Sequence, residues 1–224
     1  MRRGPLKQIV AALQQRYGRP AGLPARDAFE LVLWENVAYL ADDEKRARAF
    51  AELKARVGLR PAAIAAAPVA VLERIAGGIL PAQQVAKLRV AADLARTKFG
   101  GDVNSALRLP FEQARKALRA FPAIGEPGAE KILLLTKSHP VLALDSNGLR
   151  VLLRLGYGRE QKSYAASYRS AQHAASAELG KDFDLLIRAH HLLRRHGQET
   201  CKRSRPRCGE CAVATDCSYY ASAR

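Results

Sequence analysis

Acidic residues are scarce in this sequence. Only 21 Asp and Glu stand against 37 Lys and Arg, for a formal net charge of +16 over 224 residues. A chain so short of acid points to a polyanionic partner, most often nucleic acid or else an anionic membrane surface, beside the plainer reading of a merely basic soluble protein. Long hydrophobic runs are missing as well. No stretch of 18 apolar residues occurs, which excludes a membrane-spanning helix. The opening MRRGPLKQIVAALQQRYG sets an apolar stretch after basic residues, but Lys7, Gln8, Gln14 and Gln15 interrupt it, so it does not read as a signal peptide. Cysteine is confined to four positions between 201 and 217. Disulfides there would staple only a tail, so metal or cluster binding in a reducing cytoplasm fits better. Sustained strand alternation and low-complexity tracts are also absent, which argues against a sheet-based fold.

What is present is helical pattern. LKQIVAALQQRY places Leu6, Ile9, Val10 and Leu13 at helical spacing. ARDAFELVLWENVAYLA is apolar nearly all round and predicts a helix buried on most sides. DDEKRARAFAELKARVG opens on acids and closes on bases and Gly58, matching the helix dipole and a glycine stop. PAAIAAA, PVAVLERIAGG and PAQQVAKLRVAADLARTKFGG each open on proline, a favoured first helical residue. PFEQARKALRAF, the turn FPAIGEPG and GAEKILLLTKS follow, and two longer helices are expected at about 160–179 and 182–196. The expected fold class is all-α, with short loops.

The tail CKRSRPRCGECAVATDC has the spacing C-x6-C-x2-C-x5-C. Four thiolates this close can wrap one metal ion or one cluster. Zinc usually takes two short C-x2-C-type pairs, whereas an iron–sulfur cubane accepts more varied gaps. Spacing alone leaves both open. With LLRRHGQETC before it and SYY after it, the tail resembles the C-terminal [4Fe-4S] loop of the endonuclease III family of DNA glycosylases. The resemblance implies a [4Fe-4S] cofactor held by Cys201, Cys208, Cys211 and Cys217, structural rather than directly catalytic. It also implies a basic loop that meets DNA. Lys202, Arg203, Arg205 and Arg207 lie between the first two cysteines and would present four cations to a phosphate backbone.

The turn FPAIG resembles the helix-hairpin-helix of the same superfamily, whose usual form reads L-P-G-V-G. Phe121, Pro122, Ala123, Ile124 and Gly125 match it in order, with Ala123 replacing the first glycine. The start of a helix leaves backbone N–H groups unpaired at the positive end of its dipole, so it binds phosphate without a basic side chain. On this reading Gly125 gives close approach to DNA and Ile124 plugs the hairpin into the core.

VLALDSNGLR places Asp145 after an apolar run and directly before a helix, where an aspartate reads first as an N-cap. The resemblance adds a second role, because a V-D-T-H-type segment carries the family's essential aspartate. Leu144, Asp145 and Ser146 match it, and Asn147 stands where histidine is often found. Breaking an N-glycosidic bond builds positive charge on the sugar, which a fixed carboxylate stabilises. Strand-nicking members of the family attack the sugar with a lysine two residues past the hairpin's final glycine. Here that position is Pro127. The implied activity is therefore monofunctional: water attacks, and an intact abasic strand remains. The alternative is a bifunctional glycosylase and lyase that uses Lys131, one turn further on.

In the family, the helix matching FELVLWENVAYL lines the pocket for a base pulled from the duplex. Glu35, Asn36 and Tyr39 are the candidates for base recognition, although WEN departs from the family's glutamine-containing pattern. Leu80 in GGILPAQQ matches the loop whose apolar side chain wedges into the stack. The resemblance implies two helical lobes. One is a helical barrel over residues 24–135 with the hairpin. The other joins 1–23 to 136–224 and holds the cluster loop 201–217. The expected partner is double-stranded DNA with a damaged or mismatched base, bound between the lobes by a monomer in the cytoplasm or nucleoid, with no membrane. Rival readings are a non-catalytic DNA-binding iron–sulfur protein and a zinc-tailed RNA-binding protein. Which base is excised stays open.

Overall fold

The computed structural model describes residues 4–39, 41–78 and 80–222, with Tyr39, Gly77 and Gly78 described by their backbone alone. In chain order the helices are α1 (Leu6–Tyr17), α2 (Ala28–Asn36), α3 (Asp43–Arg56), α4 (Pro61–Ala66), α5 (Val69–Ile75), α6 (Pro81–Phe99), α7 (Phe111–Leu118), α8 (Glu126–Leu135), α9 (Ser146–Leu155), α10 (Tyr164–Leu179), α11 (Phe183–Glu199) and α12 (Ser218–Ser222). The fold is all-α. A single two-residue pairing interrupts this among the described residues: β1 (Ala38–Tyr39) runs parallel to β2 (Gly77–Gly78). Helix α10 begins later than the periodicity predicts because Ser163 caps it, accepting the Ala166 N–H at 3.2 Å. Helix α11 runs on past residue 196 to Glu199.

The chain divides into two compact units, Leu23–His139 and a second that joins Met1–Gly22 to Pro140–Arg224. The first is built around α2. Its apolar residues point in every direction, so Phe29, Leu31, Val32, Leu33 and Trp34 are all buried. Each such side chain contributes about 2 kcal/mol of hydrophobic stabilisation. Asp27 starts α2 by accepting the Glu30 N–H at 2.8 Å, and Asp42 starts α3 the same way from Lys45 at 2.8 Å. Helices α4 and α5 pack on α6, which packs in turn on α2. Helices α7 and α8 form the hairpin.

In the other unit α9 lies closest against α11. Gly197 makes this approach possible: a Cβ there would sit 2.8 Å from the Cβ and the carbonyl oxygen of Asn147. The start of α1 is anchored by a buried polar knot. The Tyr157 hydroxyl lies 2.7 Å from the Gly4 carbonyl and 2.9 Å from Glu178 Oε2, and Glu178 also accepts the Leu6 N–H at 2.7 Å. No helix among the described residues is long and apolar enough to cross a membrane.

Candidate active site

The hairpin turn is built as its sequence suggests, with one strained position. Ala123 sits at φ 60, in the left-handed region. That conformation costs a residue with a Cβ about 1–2 kcal/mol, and it is where the usual motif has glycine. Phe121 anchors the turn by stacking on Phe99, with ring centroids 5.5 Å apart. Ile124 is buried, and its N–H is used within the turn, donating to the Phe121 carbonyl at 3.2 Å. The N–H groups of Gly125, Glu126 and Gly128 have no acceptor among the described residues. Pro127, in the first turn of α8, has no N–H to offer. Arg115 of α7 clasps the hairpin. It donates to Glu112 at 2.6 Å, Glu126 at 3.1 Å and the buried Glu130 at 3.0 Å. These contacts hold the guanidinium charged, although its burial opposes this.

Asn36 braces the turn from below. Its Nδ2 donates to the Val32 carbonyl and to the Pro122 carbonyl, each at 2.9 Å, and the side chain is fully buried. It was a candidate for base recognition; its geometry is that of a strut between α2 and the hairpin. Glu35 and Lys131 meet one turn along α8 from Pro127. Lys131 Nζ donates to Glu35 Oε1, and the side chains are 17% and 19% exposed for Lys131 and Glu35 respectively. The side chain of Tyr39 lies outside the described residues; its backbone pairs with Gly78. Leu80 stands just before α6 with φ 59 and ψ 67, and its side chain is 56% exposed. An apolar side chain held outward on left-handed backbone is a strained arrangement of the kind found at functional sites.

In the other unit Asp145 is the N-cap of α9, and its Oδ1 accepts the Gly148 N–H at 2.7 Å. Its Oδ2 faces two further donors, Asn147 Nδ2 at 3.1 Å and Arg194 Nε at 3.3 Å. The carboxylate is fixed in place yet 30% exposed. Asn147 passes the connection on, because its Oδ1 accepts from Arg150 at 2.8 Å. Arg150 also donates to the Gly197 carbonyl at 2.7 Å and the Cys201 carbonyl at 3.0 Å. No local pattern marks either arginine: Arg194 lies far along the chain from Asp145, and the Arg150 partners Gly197 and Cys201 lie 47 and 51 residues on.

The four cysteines line one small pocket together with His196 and Arg154. Arg154 secures the first cysteine's loop by donating to the carbonyls of Lys202 at 2.7 Å and Arg203 at 3.0 Å, and its Nη1 lies 3.4 Å from Cys201 Sγ. His196 Nε2 lies 3.5 Å from Cys211 Sγ. Burial pushes the Cys211 and Cys217 thiols up and lowers the His196 imidazole to about 4, so His196 is neutral near pH 7. Among the described residues no three His, Cys, Asp or Glu converge as a site for a metal ion. The four thiols share one pocket, with the Arg154 guanidinium beside Cys201 and the His196 ring beside Cys211. Lys202, Arg203, Arg205 and Arg207 are all exposed, and Arg205 turns the loop at φ 53.

Comparison with known proteins agrees with this architecture. No protein-family model matches the chain. It is 28% identical over 201 residues to Endonuclease III of Sulfolobus acidocaldarius, covering 87% of this chain and 83% of that protein. It is 30% identical over 105 residues to Endonuclease III of Escherichia coli, covering 47% of this chain and 46% of that protein, so the match spans about half of this bacterial relative. Among solved structures, a thermostable thymine-DNA glycosylase superposes with a TM-score of 0.77 at 18% identity, over 96% of each chain. A trapped covalent intermediate of endonuclease III with DNA superposes with a TM-score of 0.75 at 20% identity, over 97% of this chain and 96% of that one. With its helical hairpin, capped aspartate and cysteine-lined loop, the chain is similar in sequence to endonuclease III proteins and shares the fold of helix-hairpin-helix DNA glycosylases.

Proposed function

We propose that this protein is a monofunctional base-excision glycosylase, which hydrolyses the N-glycosidic bond of a flipped, damaged or mispaired base in double-stranded DNA and leaves the strand whole. The observation that carries the reading is the fixed, part-exposed carboxylate of Asp145. As the base departs, positive charge grows on the sugar. An anion already oriented by Gly148, Asn147 and Arg194 stabilises that charge without having to reorganise. The same carboxylate takes a proton from the attacking water.

Two features favour hydrolysis over strand cleavage. Pro127 occupies the position of the family's nucleophilic lysine and has no amine. Lys131, the nearest substitute, is bonded to Glu35, so its Nζ is engaged by a carboxylate. The free N–H groups of Gly125, Glu126 and Gly128 would grip a phosphate, and Leu80 would enter the gap left by the flipped base. Glu35, beside Lys131, and Tyr39 are the candidates for contact with the base, with Asn36 bracing the turn.

Cys201, Cys208, Cys211 and Cys217 would hold a [4Fe-4S] cluster, whose part is to fold the loop that carries Lys202, Arg203, Arg205 and Arg207 toward phosphates. A monomer in a reducing cytoplasm or nucleoid suits four thiols and a DNA partner. Substituting Asp145→Asn tests the assignment. Excision falls at least about 100-fold while duplex binding and folding persist; unchanged excision removes Asp145 from the mechanism.

A further inference from the structure

A groove lined by Ser146, Leu149, Arg150, Leu153 and Arg154 runs along one face of α9. It begins at Ser146, the residue after Asp145, and ends between Arg154 and Arg203 at the cluster loop. Resting on the glycosylase reading above, we propose that this groove is a track for the DNA strand that carries the excised base, with Tyr164 as its stacking platform and Lys162 and Arg203 as its phosphate contacts. Three observations support the assignment.

The first is length. From Ser146 to Arg154 the helix rises about 12 Å, the axial length of about three base-pair steps of duplex DNA at roughly 3.4 Å each. The second is charge. Arg154 is committed to the carbonyls of Lys202 and Arg203. The side chains of Lys162 and Arg203 are exposed and have no acidic partner among the described residues, and Glu160 is the groove's one carboxylate. Unneutralised cations in a groove await an anion. The third is Tyr164. Its ring lines the groove, is 51% exposed and lies against Tyr168, with centroids 6.3 Å apart. Burial, with a smaller contribution from the Asp145 charge, pushes its hydroxyl up. An exposed aromatic flanked by cations is the arrangement by which proteins hold an unpaired strand.

The test is fluorescence anisotropy with the intact, cluster-loaded protein and a duplex containing a tetrahydrofuran abasic analogue, titrated across salt. Lys162→Gln and Arg203→Gln should each reduce the slope of log affinity against log salt by about 0.9. Tyr164→Ala should weaken binding about tenfold, while Tyr164→Phe, which keeps the ring, retains it. Lys181→Gln, the same charge change on an exposed residue outside the groove, serves as the control. Slopes and affinities equal to the control in all three groove variants overturn the proposal. The two readings fail separately. Wild-type protein that binds the duplex but excises no base removes the enzymatic reading and leaves the groove to the same slopes. Wild-type protein that excises normally, with unaltered groove variants, removes the groove alone. Wild-type protein that binds no duplex removes both.

Discussion

Glu35 on α2 and Lys131 on α8, 96 residues apart in sequence, form an ion pair with less than a fifth of either side chain exposed. This pair changes how both residues are read. Taken singly, Glu35 was an acid inside an apolar helix and Lys131 a stand-in nucleophile. Together they are an ion pair that joins α2 to the hairpin.

Removing one partner should cost more than removing both. Lys131→Ala leaves a mostly buried carboxylate without its cation and should destabilise the protein by about 2–3 kcal/mol, below the range for fully buried pairs because water still reaches this one. The double variant Glu35→Gln with Lys131→Met should recover much of that loss. Urea denaturation of the three proteins measures it; equal losses for the single and double variants would show that the pair is not coupled.

The strain at Ala123 makes an opposite prediction. Glycine accepts φ 60 without penalty, but it also loses more freedom on folding. The balance favours Ala123→Gly by about 0.5–1 kcal/mol. A β-branched residue meets the left-handed region at greater cost, so Ala123→Val should destabilise by at least about 1 kcal/mol. Thermal melts of the two variants should move in opposite directions.

Gly197 controls the distance between α9 and α11, and through it the cap residue Asp145. A methyl group there would have to displace the backbone of Asn147 rather than a flexible side chain. Gly197→Ala should therefore cost about 2 kcal/mol, and it should reduce excision more than Gly180→Ala, where no neighbour lies within 4 Å although the backbone has positive φ. Equal excision by the two folded variants would disconnect the helix packing from the carboxylate.

The parts of this protein that were legible in sequence are local ones. Helical spacing, proline starts and the cap at Asp145 all act within a few residues, and most helices form where those signals fall; α2 stops at Asn36 before VAYLA, Pro68 caps α5 rather than opening it, α10 starts later at its Ser163 cap and α11 runs on to Glu199. The hairpin and cysteine tail were legible because each compresses its chemistry into a short segment. The rest depends on tertiary partners. Nothing near Asn36 in sequence announces the Pro122 carbonyl it binds, and nothing near Asp145 announces Arg194. The short pairing of Ala38–Tyr39 with Gly77–Gly78 is too brief to leave an alternating pattern.

The cysteine cavity makes a chemical prediction. Protein purified without oxygen should be brown and carry about four iron atoms per chain. Cys211→Ser should lose most of the iron and weaken duplex binding, since the basic loop then lacks its internal anchor. Colourless protein containing zinc contradicts the cluster assignment.

The central claim is that this chain removes a base and leaves the strand intact. Its most direct test is a panel of duplexes, each with a single lesion or mispair, incubated with the protein and resolved with and without alkali, and repeated with borohydride. The predicted result is strand breakage at one class of lesion only after alkali, no covalent adduct with borohydride, and loss of the signal in Asp145→Asn. Breakage without alkali together with a trapped adduct that disappears in Lys131→Ala would contradict it.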